Sequence, residues 1–180
     1  MARQHSALIR LEPWADGDFP LLVKLNAPEM TEHLGGPETD DQLRRRHERY
    51  VAAAKTTVFR DSHRTYGAYV FKVILEPDGN AVGGVNFWER EWRGEDVYEM
   101  GWGVLPEYQG RGIASAAVTQ AIQLARALRR RHTVHAFPAA ENGPSNAICR
   151  KTGFELVGEV PFEYPKGHWM RCNDWRIALR

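Results

Sequence analysis

The residues with the most chemistry per position are Val104-Leu105-Pro106-Glu107-Tyr108-Gln109-Gly110-Arg111-Gly112-Ile113-Ala114-Ser115. A strand-like run, Val97 to Val104, leads in, and an amphipathic segment from Ile113 leads out. A helix start carries backbone N–H groups with no intrahelical partner and the positive end of the macrodipole. Glycine lets a ligand approach the main chain closely. Arg111 either adds charge to that site or is a solvated helix-start arginine. The stretch reads as an anion cradle, most naturally for phosphate. Two familiar phosphate motifs do not fit it. A P-loop requires a Gly-Lys-[Ser/Thr] ending, which is absent. The dinucleotide turn requires Gly or Ala where Ser115 stands, and an acid about 20 residues on, whereas the region around His132 carries none before Glu141.

The elements that must position the cradle follow from periodicity and punctuation. Leu8–Leu11 reads as a first strand that Pro13 ends. Asp16 or Asp18 caps a helix through Phe19, Leu21, Leu22 and Leu25, and Pro28–His33 is a second helical piece. After the Gly35-Gly36-Pro37 breaker, Thr39 or Asp40 starts a helix through Leu43, His47, Tyr50 and Val51. Tyr66–Leu75, Ala81–Trp88 and Val97–Val104 read as three consecutive antiparallel strands, joined by a Pro77–Asn80 turn and a charged Glu89–Asp96 connection. Gly83-Gly84 signals a bulge or close backbone packing. The helix after the cradle has apolar pairs Ile113/Ala114, Ala117/Val118, Ala121/Ile122 and Leu124/Ala125, then Leu128. Arg126, Arg129, Arg130 and Arg131 close it, as the helix dipole favours. Thr133–Phe137 is a strand, Ser145–Thr152 a short helix with Gly153 as its cap, and Phe154–Val160 a strand. Pro161–Gly167 is a loop, and Trp169–Leu179 the final strand. The implied fold is α+β: a mixed, mainly antiparallel central sheet flanked by helices.

Composition narrows the partners. A chain of 180 residues suits one domain, 1–180. With 43% hydrophobic and 26% charged residues it is expected to fold. Its net charge of +1, from 24 basic and 23 acidic residues, gives no reason to expect nucleic acid or membrane. The start, Met1–His5, lacks a signal-peptide apolar core, and no run approaches the ~20 apolar residues of a membrane span. A cytoplasmic protein is expected. Cys149 and Cys172 are too few for a disulfide framework or zinc site, and the histidines lack ligand spacing, so no metal is expected.

The third phosphate motif fits. Gln109-Gly110-Arg111-Gly112-Ile113-Ala114 matches Q/R-x-x-G-x-G/A and resembles the acetyl-coenzyme A signature of the GNAT N-acetyltransferase superfamily. Glu99–Val104 resembles that family's central strand. Asn142-Gly143-Pro144-Ser145 and Lys151-Thr152-Gly153-Phe154 resemble its later segments. The ending Asp174–Leu179 is most similar to the branch containing the RimJ/RimL-type ribosomal-protein acetyltransferases. The resemblance covers nearly the whole chain, most strongly Val97–Val160.

That resemblance implies a GNAT fold, acetyl-CoA as co-substrate and acetyl transfer to an amine. A lysine-like amine has a pKa of roughly 10.4, so about one in a thousand is uncharged at pH 7 and a base is useful. Glu99 stands where family members often carry a Glu base. A strand glutamate in an ion pair is the structural alternative. The backbone N–H of Gly103 is the implied donor to the thioester oxygen. Val104 and Leu105 would hold the pantetheine arm, and Gln109, Gly110, Arg111, Gly112, Ile113, Ala114 and Ser115 would surround the pyrophosphate. Asn142 either holds pantetheine amides or forms a turn. The family's usual tyrosine acid is replaced by Cys149, which leaves Ser145 as candidate acid or helix cap. The implied acceptor region is Asn26–Gly36, Trp88–Tyr98 and Pro161–His168. It brings Glu29, Glu32, Glu89, Glu91, Glu95, Trp88, Trp92, Phe162, Tyr164 and Trp169, acids and aromatics that suit a cationic amine and equally suit ordinary surface and core. From Leu25 to Leu43 there are five acids and no Lys or Arg, a set of helix caps or an acidic rim. The acceptor that the resemblance implies is a small-molecule amine or a protein N-terminal amine. A monomer and a homodimer both fit, and a non-catalytic acyl-CoA sensor on the same fold is the competing reading.

Overall fold

Strand pairing begins with neighbours in sequence and ends with one long-range seam. The computed structural model describes residues 8–60 and 65–180, so Met1–His5, read above for targeting, lies outside the described residues. The strands are β1 (Ile9–Pro13), β2 (Val58–Arg60), β3 (Thr65–Leu75), β4 (Asn80–Trp92), β5 (Glu95–Val104), β6 (Thr133–Ala136), β7 (Glu155–Glu163) and β8 (Trp169–Ala178). Their order in the sheet is β1-β3-β4-β5-β6-β8-β7, with β2 also pairing β3. Every pairing is antiparallel except β5 with β6. The mixed, mainly antiparallel sheet expected from sequence is therefore present.

Helices α1 (Phe19–Leu25), α2 (Pro28–Thr31) and α3 (Asp40–Thr56) pack on one face, and α4 (Ile113–Leu128) covers the other. α4 buries Ile113, Ala117, Val118, Ala121, Ile122 and Ala125 against Val82, Val85, Phe87, Tyr98 and Met100. Leu124 and Leu128 sit at the stripe's margin and in the last turn, and stay exposed. α3 starts with a capping box: Thr39 Oγ1 accepts from Gln42 N at 3.4 Å, and Thr39 N donates to Gln42 Oε1 at 2.9 Å. Asp18 stands at the α1 N-cap but makes no capping bond; its carboxylate instead takes Lys72 Nζ at 3.0 Å. α5 (Gly143–Lys151) starts two residues earlier than expected, because Asn142 is its cap and accepts from Ser145 N at 3.1 Å.

Several expected connections are ordered structure. The charged Glu89–Asp96 stretch is the tip of the β4–β5 hairpin, closed by Arg93 and Gly94 at φ 52° and 82°. A two-residue turn with both φ positive matches the strands' twist, so charged side chains ride on a continuing ladder. β7 likewise runs to Glu163, leaving only Tyr164–His168 as loop. Conversely, β6 stops at Ala136. β2 and a 3-10 turn at Pro106–Tyr108 had no sequence signal strong enough to read.

At Gly83-Gly84 both anticipated features occur. The β3–β4 register shifts by a residue beside Gly83. A Cβ on Gly83 would lie 2.3 Å from the Gly103 carbonyl oxygen, a backbone atom that cannot yield. Gly83→Ala should therefore cost about 1–3 kcal/mol, the usual penalty for overpacking, read as a lower urea midpoint. A midpoint equal to that of the unsubstituted protein would show that β4 and β5 separate without cost.

Candidate functional site

β5 is paired along its whole length on one side only. Toward β4 its register is unbroken from Glu95–Trp92 to Val104–Gly83. Toward β6, only Tyr98 and Glu99 have partners, Val134 and His135. Beyond Ala136 the chain follows β8 instead: Asn173 N donates to Pro138 O and Ala140 N to Arg171 O, both at 2.9 Å. The sheet thus splays open after Glu99, and Met100–Val104 present a free main-chain edge.

The phase of that edge follows from one bond. Leu105 N donates to Val82 O at 2.9 Å, and main-chain groups in an antiparallel ladder alternate sides. Gly101 and Gly103 therefore turn their N–H groups toward β4, and Met100 turns its own to the last pair with β6, while Trp102 and Val104 turn theirs to the open side. This corrects the expectation that Gly103 supplies a free N–H. No register shift occurs between β4 and β5. What the two glycines remove is side chains. A Cβ on Gly103 would touch Leu25 and Met30 at 3.5 and 3.6 Å, and one on Gly101 would meet Asn86 and Trp88. They leave a shallow track on the α1–α3 face, running up to Glu99.

The free edge runs into the cradle. Gln109 Nε2 donates to Val104 O at 2.8 Å, so this side chain ties the loop to β5 rather than facing outward. Gly110 and Gly112 have φ of 72° and 76°, and a Cβ at either would meet nothing within 4 Å. Their identity answers to backbone conformation, with open space in front. Gly112 is the N-cap of α4 and no side chain caps that helix, so the first-turn N–H groups of Ile113, Ala114 and Ser115 keep their unmet donors. The Ile113 side chain itself is buried in the core. Arg111 is exposed, its guanidinium 5.6 Å from the Tyr108 ring centre. A chain with a diphosphate at one end and an extended amide arm fits this path. The arm would lie on the β5 edge and the diphosphate on the glycine turn.

Glu99 stands where the splay begins. Its side chain is 12% exposed and forms an ion pair with Arg90 of β4. Burial pushes its pKa up, and the Arg90 charge and hydrogen bond only partly oppose this. The Arg90 guanidinium lies 4.8 to 5.5 Å from the ring centres of Phe162, Trp92 and Phe137. Trp92 Nε1 donates to Asp174 Oδ2 at 2.9 Å. His135 Nδ1 donates to Asp174 Oδ1 at 2.6 Å. Burial raises the Asp174 pKa, but these two hydrogen bonds outweigh it and hold the carboxyl below the ordinary range. None of Arg90, His135 or Phe137 was read from sequence as part of a site. The signal was the even spacing Trp88, Arg90, Trp92, which shares Glu99's face through the Trp88–Glu99 register pair.

The other expected residues scatter. Glu89 faces away, its Oε2 accepting from Gly67 N at 2.8 Å and its Oε1 3.1 Å from Arg131. That pairing also gives part of the arginine cluster after α4 a structural role. Trp92 and Phe162 belong to a small buried cluster, while Trp169 is exposed. Tyr164 lies 3.4 Å from Arg46, which pairs with Glu38 at 2.5 Å. Burial first, then the charges of Glu38 and Glu99 among others, raise its pKa. Ser145 is half-buried, and among the described residues its hydroxyl has no protein partner. Cys149 is fully buried in the main core, and burial pushes its thiol up to about 12, which makes it a packing residue. Asn146, unremarked in the sequence, joins α5 to β8. Its Oδ1 accepts from Trp175 Nε1 at 2.7 Å and Asn173 Nδ2 at 2.8 Å. Among the described residues no group of three His, Cys, Asp or Glu is placed to hold a metal, and no helix is long and apolar enough to cross a membrane.

Residues 9–155 match the family model described as the acetyltransferase (GNAT) domain. A curated relative, the uncharacterized N-acetyltransferase YnaD of Bacillus subtilis (strain 168), is 30% identical over 117 residues, which is 65% of each chain. The spermidine N-acetyltransferase of Vibrio cholerae, solved with CoA and spermine, superposes with a TM-score of 0.72 at 18% identity over 95% of both chains. The Salmonella typhimurium acetyl transferase that modifies the N-terminal serine of ribosomal protein L7/L12 gives 0.72 at 17% identity, covering 98% of this chain and 97% of its own. These likenesses establish the fold.

Replacing Gly112 by alanine forces a side chain into the left-handed region at about 1–2 kcal/mol. If that turn holds a diphosphate, coenzyme A binding measured by calorimetry should weaken about tenfold, the equivalent of about 1.4 kcal/mol. Unchanged affinity would remove the turn from the binding site.

Proposed function

We propose that this chain, which belongs to the acetyltransferase (GNAT) domain family, is a single-domain enzyme that transfers an acetyl group from acetyl-CoA to a primary amine by direct attack on the thioester. The observation that carries this reading is the free edge of β5, which joins Glu99 at one end to the uncapped, glycine-turned start of α4 at the other. The thioester supplies an activated acyl carbon. Val104 holds the pantetheine arm, with Asn142 at its flank; Leu105, expected to share that task, has its N–H on Val82 O and its carbonyl on Tyr108 N and instead fixes the end of the edge. The main chain of Gly110, Arg111, Gly112, Ile113, Ala114 and Ser115 receives the pyrophosphate, and Gln109, whose N–H goes to Pro106 O and whose side chain goes to Val104 O, holds that turn against the edge.

Glu99 takes the proton that the ammonium must lose, directly or through water. One open-side N–H, that of Trp102, replaces Gly103 as donor to the carbonyl oxygen as it gains charge, and leaves the next, that of Val104, to the arm; such a donor is typically worth about 3 kcal/mol. Ser145 is the group offered to the departing thiolate, since Cys149 is buried. The acceptor enters over the Gly101–Gly103 track, past Met30, Tyr50, Asn86, Trp88 and Tyr164. Spermidine and protein N-terminal amines, the acceptors named for the two solved proteins above, are the classes to try first. The two free, buried cysteines suit a reducing compartment such as the cytoplasm.

The test is thiol release from acetyl-CoA with a panel of spermidine, an aminoglycoside and a serine-starting peptide. At least one amine should turn over. The rate should fall as pH drops through the raised Glu99 midpoint, where the carboxylate gains its proton. Glu99→Gln should lose that acidic limb and about 10²–10⁴-fold in kcat/KM, the usual worth of a general base. Binding of acetyl-CoA without turnover of any amine would favour the sensor reading. Wild-type rates and an unaltered pH profile in the Gln variant would remove Glu99 from the chemistry.

A further inference from the structure

We propose that Arg90 is a positioning residue for the proton-accepting carboxylate: its guanidinium, clamped among three aromatic rings, holds Glu99 in one place and in charged form beside the free edge of β5. The proposal rests on the reading of Glu99 as the base. Arg90 is the register partner of Val97, and Glu99 that of Trp88, so the ion pair reaches diagonally across the ladder. Such a reach suits long side chains, but a long side chain has many rotamers to lose. Here the rotamer is set from outside. Phe162 of β7, Trp92 of β4 and Phe137 after β6 surround the guanidinium plane. Phe137 and Phe162 stack at 4.6 Å, and Trp92 meets Phe137 edge-on at 4.6 Å. Trp92 is pinned in turn by Asp174, and Asp174 by His135. Because His135 is the register partner of Glu99, these contacts form a closed ring through β4, β5, β6 and β8.

The arrangement has a chemical purpose that packing does not need. Glu99 is paired with Arg90 from β4 and lies within electrostatic reach of His135 from β6 and Cys172 from β8, with Asp174 bound to His135. Tyr164 of the β7–β8 loop feels the Glu99 charge. Arg90 is the permanent cation of this set, and a carboxyl this buried is harder to ionise without one. A base that already holds its proton cannot take another from an ammonium. Lysine would restore the charge but not the planar stacking, so it would leave the position of the carboxylate less defined.

The experiment titrates the protein with carbon-13-labelled glutamate carboxyls by NMR, using Glu99→Gln to identify the Glu99 signal. Arg90→Gln should raise the Glu99 midpoint by about one pH unit, a tenfold gain in proton affinity, and Arg90→Lys should raise it less. The acidic limb of thiol release, measured with the fastest amine of the panel, should move up in step. An unchanged midpoint in Arg90→Gln overturns the proposal. Should that variant not fold, Arg90→Lys and Phe162→Leu are titrated in its place. An upward shift in either supports the role, and no shift in both removes it. Loss of the acidic limb in Glu99→Gln with unmoved Arg90 variants would defeat the Arg90 role alone. An unaltered limb in Glu99→Gln would defeat the base reading and this proposal together.

Discussion

The structure depends on how little of β5 and β6 is paired. Two register pairs, Tyr98–Val134 and Glu99–His135, hold the two halves of the sheet together. Past them the strands diverge, because β6 and its extension stay with β8 while β5 stays with β4. Backbone polar groups are rarely left unmet in a folded interior. A splay inside a sheet therefore makes a site by default: it exposes a row of donors and acceptors that only a ligand or water can meet. The Gln109 side chain satisfies one of them, the Val104 carbonyl, and so locks the glycine turn to the end of the row. The cradle and the edge become one continuous surface.

The same seam decides the electrostatics. Glu99 and His135 are neighbours only because the parallel pairing sets them side by side. The acids and bases around them then resolve into two pairs of different character. Asp174 is held ionised by two hydrogen bonds and serves as an anchor for His135 and Trp92. Glu99 has one strong partner, and its burial leaves it easier to protonate than an ordinary glutamate. Two carboxyls on neighbouring strands thus play different parts. One is fully engaged in structure, and the other is left with proton affinity to spare. The aromatic box around Arg90 joins them, so the rigidity of one is passed to the other.

Residue patterning made much of this legible. Periodicity identified α3 and α4, and the residues buried by α4 are the ones its 3.6-residue stripe marks, apart from the half-buried Ala114 and from Leu124 and Leu128 at its edge. Period-two runs identified β3, β4 and β5, and the Gly83-Gly84 doublet announced the bulge and the backbone contact found there. The Gly110-Arg111-Gly112 turn could be read because positive φ leaves a direct mark on residue choice. Where elements were misread, the local signal was ambiguous. Charged residues in Glu89–Asp96 look like a loop, but a hairpin tip exposes side chains while its backbone stays paired.

Local chemistry therefore determined the elements, the fold class, the glycine turn before α4 and the family, since each is written in spacings of a few residues. Tertiary structure alone decided which groups meet. Arg90, Phe137, Phe162, Asp174 and His135 are separated by up to 84 positions, and no local pattern relates them. The direction of the amides was equally hidden. Gly103 looked like the free donor, but ladder phase, set by the Leu105–Val82 hydrogen bond, turns its N–H inward and those of Trp102 and Val104 outward. That phase depends on how two strands align, and a one-residue shift reverses it. The sequence thus named the strand, and the pairing of that strand decided which of its main-chain groups stay open.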